Sequence, residues 1–419
     1  MHFTLTGINH HTAPIEAREK AAVNAEALPA ALLHLRQYAP HSIILSTCNR
    51  TEIYASGTHA DDVTGACTSY LKDTLKMADD NCAPYLYTIG GIELFRHLCS
   101  VACGLDSMVI GEYEVLGQVR QALTAAEKAG MVNLPLRHLF QGAVRTGRRA
   151  REETGISKNA LSISSIAVNK ALDIIPDIKS AKIIVIGAGE AGRLAVRIAR
   201  SRDISGIVVV SRTEQRAIGL AEQYGARPVS PTLLIHEMHD ADIVITCAAS
   251  PHPVLRHKQV SEAISKRPGL PLVILDIAMP RNVEPSVREI PGVHLYNIDD
   301  LNDIADGHRL ERETEIQAVE SIIGEEVALL MKWWQSYNAR PVIKSLMKRA
   351  EQIRSEQYSR SLKKLPALTG GERQAIDLLT RSIVDKILRE PIMFLKSVEG
   401  PNGSEVISRL FGLDDGSET

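Results

Sequence analysis

Residues 43–54, Ile43-Ile44-Leu45-Ser46-Thr47-Cys48-Asn49-Arg50-Thr51-Glu52-Ile53-Tyr54, gather a thiol, an amide and a guanidinium within three positions. The apolar run that precedes them reads as a buried strand, so the polar cluster would sit at the strand's open end. That is a setting for a nucleophile. A thiolate is the reactive form of cysteine, and a permanent cation such as Arg50 lowers the pKa of a thiol beside it. A free cysteine is often only a small buried hydrophobe. The polar groups flanking Cys48 leave the two readings evenly open.

The elements that must position this stretch follow in order. Residues 3–8 read as a strand, 25–38 as a helix, 42–47 and 52–56 as strands, 60–76 as a helix and 84–89 as a last strand. The order βαββαβ is that of the ferredoxin-like α+β arrangement, an antiparallel sheet carrying both helices on one face. It would place Cys48 at the tight link between the second and third strands.

A helix with Leu94, Leu98 and Val101 at apolar spacing follows and closes at Gly104. His97 lies off its apolar stripe, either as a satisfied surface or core residue or as a proton donor or acceptor near Cys48. Cys99 and Cys103 share a face, but no CxxC or HxxxH pair supports a metal site. The turn Gly111-Glu112-Tyr113-Glu114 sets two carboxylates beside a ring, to bind a substrate ammonium or simply to open the helix starting near Val115. A second helix, 134–153, carries Arg145, Arg148, Arg149 and Arg151, of which Arg145 and Arg148 or Arg149 share one face, either solvated or suited to RNA phosphates. Gly155, Ser157, Asn159 and Ser162 mark a boundary, after which 162–172 restarts a helix.

The next domain opens with a strand, 181–186, running into Gly187-Ala188-Gly189-Glu190-Ala191-Gly192 and a helix at 193–200. Gly187 allows the tight turn, Gly189 close approach of a pyrophosphate, and Gly192 close packing of helix on strand. A second strand, 206–210, ends in Ser211-Arg212-Thr213, where an NAD site would place an acid; Ser211 and Arg212 suit a 2′-phosphate and hence NADPH. Runs at 242–247, 272–277 and 293–296 complete an expected six-strand parallel Rossmann sheet, with residues 248–250 and 276–281 lining the nicotinamide crevice. Asp299 and Asp300 can cap a helix, and the remainder reads as all-helical. Val319, Ile323, Val327, Leu330 and Trp334 form one stripe, and the later helices, interrupted around 366–371, are rich in Lys and Arg. They fit a dimerising bundle, with contact to a tRNA backbone as the alternative.

The chain's 419 residues suggest two or three domains of ordinary soluble composition, and a net charge of −2 excludes a general polyanion binder. The N-terminus does not read as a signal segment and no run is long enough to cross a bilayer. The six cysteines lack framework spacing, which fits reduced thiols. The expected location is the cytoplasm, with no membrane partner.

Together these pieces resemble one family, the glutamyl-tRNA reductases. The resemblance rests on Gly7-Ile8-Asn9-His10-His11-Thr12-Ala13-Pro14, the Ser46–Glu52 loop, Gly104-Leu105-Asp106-Ser107 through Gly117-Gln118-Val119 and the Gly-Ala-Gly-Glu-Ala-Gly turn. Ser250-Pro251-His252-Pro253, residues 276–280 and Arg389-Glu390-Pro391 extend it over essentially the whole chain. It implies NADPH-dependent reduction of glutamyl-tRNA(Glu) to glutamate-1-semialdehyde, the first step of tetrapyrrole (porphyrin, 5-aminolevulinate) biosynthesis. It also implies a V-shaped homodimer with a long spinal helix, and a partnership with glutamate-1-semialdehyde aminomutase. The implied domains are a catalytic domain at 1–155, an NADPH-binding Rossmann domain at 160–300 and a helical dimerisation domain at 301–419. By position, Cys48 would form a thioester and His97 would be needed for activity. Thr47, Asn49, Arg50, Ser107, Glu112, Tyr113, Glu114 and Gln118 would surround the glutamyl group, with Arg50 on its side-chain carboxylate. Gly187, Ala188, Gly189, Glu190, Ala191 and Gly192 would hold NADPH. The chain departs from the family at Tyr113-Glu114, where many members have Pro-Gln or Thr-Gln, and at Cys103, more commonly serine or alanine. Two rivals are a thiol-dependent NADPH acyl reductase acting on a tRNA-free substrate, and a non-catalytic protein that senses NADPH or binds tRNA.

Overall fold

The computed structural model describes residues 2–75, 83–157, 163–175, 180–301, 313–365, 367–397 and 402–413. Lys76, Cys82, Asn159, Ser162 and Pro366, all part of the readings above, lie outside them. The chain divides into two compact units, 1–324 and 325–419.

In the first unit, β1 (His2–Asn9), β2 (Ser42–Ser46), β3 (Arg50–Gly57) and β4 (Tyr87–Gly90) form one antiparallel sheet in the order β2-β3-β1-β4. This is the expected ferredoxin-like order. The sheet is covered on both faces, not one. Successive residues of a strand point to opposite sides: Thr4 meets Thr64 of helix Ala60–Leu75 through their hydroxyls at 3.0 Å, whereas Phe3 packs edge-on against Phe95 of helix Gly91–Cys103. Leu5 and Tyr54 are register partners and share a side with Phe3, and Tyr54 packs against Phe140 of helix Leu134–Glu153. The expected helix at 25–38 is shorter, Leu28–Leu35, and a further helix, Ile15–Ala21, precedes it. The last strand starts later than expected because Ala83–Tyr85, with Pro84 lacking an N–H, forms a 3-10 turn.

The second sheet of this unit is parallel throughout: β5 (Lys182–Ile186), β6 (Gly206–Val210), β7 (Arg227–Val229), β8 (Ile243–Thr246), β9 (Leu272–Asp276) and β10 (Val293–Asn297), in the order β10-β9-β8-β5-β6-β7. Renumbered within the domain this is 3-2-1-4-5-6, the doubly wound Rossmann order. Alternate residues fill two cores, Ile183, Val185, Ile245 and Leu275 on one face and Ile184, Ile186, Val244 and Ile274 on the other. Both faces are therefore buried, which is why the strands read as continuous apolar runs. The sixth strand is the edge strand β7, whose Arg227 and Pro228 are exposed and which carries no apolar run.

Helices Glu313–Asn338, Arg340–Lys364, Gly370–Ser397 and Asn402–Phe411 end the chain. Val319, Ile323, Val327 and Leu330 are buried as their spacing requires. In the second unit Ala339, Leu346, Leu388, Leu395 and Ile407 form the core, while Leu378, Leu379, Ile383 and Ile387 stay exposed on helix Gly370–Ser397. Among the described residues no helix is long and apolar enough to cross a membrane.

Candidate active site

Cys48 occupies the middle of a three-residue link between β2 and β3. The link is closed by the Thr47 amide donating to the Arg50 carbonyl at 2.8 Å and tied by the His10 amide donating to the Asn49 carbonyl at 2.9 Å. The thiol is half-buried and packs on the apolar cluster that joins Ile15, Met108 and Val109 to Val185 and Leu275 of the parallel sheet. It therefore lies where the two sheets' domains meet. Burial pushes its pKa up, the charges of Glu112 and Glu114 push it further, and Arg18 opposes them.

That cation corrects the reading of Arg50 as the thiol's activator. Arg50 is 3% exposed and committed elsewhere, to Glu52 at 2.8 Å and to Asp106 through its carboxylate at 2.7 Å and its carbonyl. Glu52 also accepts from Tyr54 and Tyr87, each at 2.5 Å, and bonds His97 Nε2 at 2.9 Å. These partners hold the Glu52 carboxyl far below the ordinary range despite its burial. His97 is thus a member of this network, and no hydrogen bond links it to Cys48. Arg18, which sequence reasoning missed, is 3% exposed. It donates to the carbonyls of Ala13 at 3.2 Å and Cys48 at 3.3 Å and pairs with Asp299 at 2.5 Å. A second bridge of the same kind joins Arg281 to Glu19 at 2.8 Å. Pairs separated by more than 250 residues leave no local signal.

Several groups beside the thiol have acceptor atoms without a partner. Asn49 is 3% exposed, with Oδ1 unpaired. Glu114, first residue of helix Glu114–Lys128, has a buried Oε1 likewise unpaired. Burial and the charges of Glu112 and Glu190 push its carboxyl up to about 7. Burial also raises Glu112, and its hydrogen bond with Ser107 opposes that. Tyr113 is exposed, and Gln118 is half-buried on the helix that Glu114 starts. Arg151 of helix Leu134–Glu153 fastens this turn by donating to the carbonyls of Glu112 and Ala102. Cys99 and Cys103 are buried, and among the described residues no His/Cys/Asp/Glu group could hold a metal.

The glycine turn follows β5. Gly187 has φ +121°, and a Cβ there would meet the Cys247 backbone at 2.8 Å; a Cβ on Gly192 would meet the Gly187 carbonyl oxygen at 1.9 Å. A Cβ on Gly189 would meet nothing within 4 Å, so space is left open at the start of helix Glu190–Ser201. This is a cradle for a pyrophosphate, with backbone amides and the helix dipole facing it. Ala188 and Ala191 pack on the core cluster behind it, and Glu190 is exposed in the first turn. Ser211 and Arg212 lie just past the end of β6, Arg212 exposed and donating to the Ala249 carbonyl at 3.1 Å. At the ends of β8 and β9, Thr246 donates to Asp276 at 2.7 Å.

A thiol-bearing α+β domain set against a doubly wound sheet with a dinucleotide turn defines an oxidoreductase. Three segments match known families: 6–154 "Glutamyl-tRNAGlu reductase, N-terminal domain", 169–304 "Shikimate / quinate 5-dehydrogenase" and 318–413 "Glutamyl-tRNAGlu reductase, dimerisation domain". The glutamyl-tRNA reductase of Roseiflexus castenholzii is 38% identical over 422 residues, covering 99% of this chain and 98% of that protein. That of Pelotomaculum thermopropionicum is 38% identical over 98% of this chain and 94% of the relative. The solved structure of glutamyl-tRNA reductase from Methanopyrus kandleri superposes with a TM-score of 0.53 at 30% identity, over 98% of this chain and 99% of that one. The chain belongs to the glutamyl-tRNA reductase family. Its dehydrogenase-like central segment supports a nicotinamide cofactor, and its dimerisation domain supports a homodimer.

Proposed function

We propose that this chain reduces glutamyl-tRNA(Glu) to glutamate-1-semialdehyde through a thioester on Cys48, with NADPH as the reductant. The observation that carries the reading is the half-buried Cys48 thiol beside two unpaired acceptors, Asn49 Oδ1 and Glu114 Oε1, where the two domains meet. Those acceptors suit the α-ammonium of the glutamyl group, with Glu112, Ser107, Thr47 and Gln118 around it and the exposed Tyr113 at the edge of the substrate site. Arg50 would take the side-chain carboxylate by exchanging Asp106, the more exposed of its two partners. His97 keeps Glu52 charged and Arg50 in place.

In the first step Sγ of Cys48 bonds to the ester carbonyl carbon, the bond to the ribose oxygen breaks, and tRNA leaves with a hydroxyl. The thiol is protonated at rest because burial and two carboxylates oppose the thiolate. Its proton passes to Glu114, whose affinity lies near neutrality, and then to the departing oxygen. A thioester is more electrophilic towards hydride than the ester it replaces. Gly187 to Gly192 would hold the dinucleotide and Arg212 with Ser211 its 2′-phosphate. NADPH held there would supply a hydride to the thioester carbonyl carbon; the carbon–sulfur bond would break to leave the aldehyde, and the Cys48 thiolate so released would take a proton from water to regain the thiol. The product belongs to the first step of tetrapyrrole biosynthesis, and glutamate-1-semialdehyde aminomutase would consume it. We place the reaction in the cytoplasm, where the scattered cysteines, without framework spacing, would stay reduced.

A single-turnover assay with radiolabelled glutamyl-tRNA tests this. The natural chain should form semialdehyde with NADPH and a labelled protein adduct without it, and Cys48→Ser should form neither. Reduction by Cys48→Ser at the natural rate would remove the thioester from the mechanism.

A further inference from the structure

A cavity of about 480 Å³ opens beside the Glu112–Glu114 turn and runs along the outer face of helix Glu190–Ser201, away from the sheet. Its volume is that of a small-ligand site. The lining changes character along its length. At one end stand Glu112 and Glu114, whose charges both act on Cys48, although the thiol itself does not line the cavity. Further along stand Arg193 and Arg197, with Tyr224 as an aromatic wall, while Tyr113 lines the cavity from the same turn as Glu112 and Glu114. Arg193 lies 3.8 Å from Glu190, whereas Arg197 makes no ion pair among the described residues. Tyr113 is 61% exposed, although it sits between the two carboxylates whose charges act on Cys48.

We infer that this cavity seats the 3′-terminal nucleotide of the tRNA. The inference rests on the proposed reaction and extends it. The scissile ester joins the glutamyl carbonyl to the terminal ribose, so the ribose must lie one bond from the carbon that Sγ attacks. On one side of that bond the substrate carries a cation, the α-ammonium; on the other it carries an anion, the 5′-phosphate of the terminal nucleotide. The cavity has the same polarity, with Glu112, Glu114 and Glu190 at the end whose charges reach Cys48 and Arg193 and Arg197 beyond. From Glu190 to Arg197 is seven helical steps, about 10 Å at the α-helical rise, the length scale of one nucleotide. Arginine suits phosphate by geometry, and an exposed tyrosine is a stacking surface for a base. A second cavity, of about 400 Å³ at His97 and Asp106, lacks these features: its one arginine, Arg96, is beside Glu93, and no tyrosine lines it. The departure from the family at Tyr113 thus acquires a role, as the ring against which the terminal base stacks.

The test uses the full-length protein and uncharged tRNA(Glu), intact or lacking its terminal adenosine, with affinity read by fluorescence titration at fixed salt. The natural chain should bind the intact tRNA about tenfold tighter than the shortened one. Arg197→Ala and Tyr113→Ala should bind both alike, and Arg197→Lys should recover part of the difference. Equal binding of the two tRNAs by the natural chain overturns the inference, whether or not the protein forms semialdehyde. A loss of NADPH affinity in Arg197→Ala with the tRNA discrimination intact also overturns it, because the cavity would then serve the cofactor. Failure of the natural chain to reduce glutamyl-tRNA would instead count against the proposed reaction, which the binding comparison does not use. Matching thermal melts establish that the variants are folded.

Discussion

Replacing Glu114 by glutamine should make the protein more stable above neutral pH, although it deletes a charged group from a site. The folded carboxyl titrates at about 7 against 4.5 for the free group, because it is buried beside Glu112 and Glu190. A raised carboxyl pKa means that the native state binds a proton more tightly than the unfolded chain does. Stability from this group therefore falls as pH rises from 4.5 to 7, and the whole penalty persists above that. The gap of roughly two and a half units, at about 1.4 kcal/mol each, is about 3 kcal/mol. Glutamine is nearly isosteric and carries no charge, so it removes the penalty without opening a cavity. Other groups titrate in the same window: Asp276, raised to about 6, has the same sign, while His10, lowered to about 4, has the opposite one. The difference between natural and variant chains cancels both. Urea unfolding followed by circular dichroism at pH 5 and pH 8 should give a variant more stable by about 3 kcal/mol at the higher pH and near parity at the lower. A stability difference that does not change with pH, or a variant less stable at pH 8, would refute the assignment of a strained carboxylate. The same substitution should flatten the rise of thioester formation through pH 7, since it removes the proton acceptor.

Other expectations concern the groups around the thiol. Glu52→Gln leaves Arg50 with Asp106 alone and cannot accept from four donors, so it should cost about 3 kcal/mol in urea unfolding at pH 7. Arg18→Ala removes a cation that favours the Cys48 thiolate, so alkylation of Cys48 by iodoacetamide should slow several-fold and its pH profile move upward. An unchanged profile would mean another group sets the thiol's reactivity. Arg212→Ala should raise KM for NADPH about tenfold while leaving KM for NADH nearly unaltered, which steady-state kinetics with both cofactors would measure.

Much of the fold was legible because the signals are local. The glycine turn sits between an apolar strand and a helix, and Cys48 follows an apolar run by three residues, so periodicity and turn chemistry located both. Strand β7 escaped because an edge strand of three residues, one of them proline and two exposed, has no apolar pattern to read. Which residues gather near Cys48 was more legible than how they are wired to one another. Arg50 reads as a free cation until burial and the partners Glu52 and Asp106 are seen, and only then does the influence on the thiol pass to Arg18. His97 likewise becomes a support for Glu52.

One guanidinium, that of Arg18, holds the Cys48 carbonyl with one nitrogen and Asp299, beyond the last strand of the parallel sheet, with the other. Such sharing makes the two ends reciprocal. If acylation of the thiol tightens or loosens the grip of Arg18 on the link, the pairing with Asp299 must respond by the same free energy, and the reverse holds with equal size. The chemical state of the sulfur and the seating of the nucleotide-binding body are then one thermodynamic variable seen from two places. Cofactor affinity should accordingly differ between the free and the acylated protein, by a factor that Arg18→Ala abolishes.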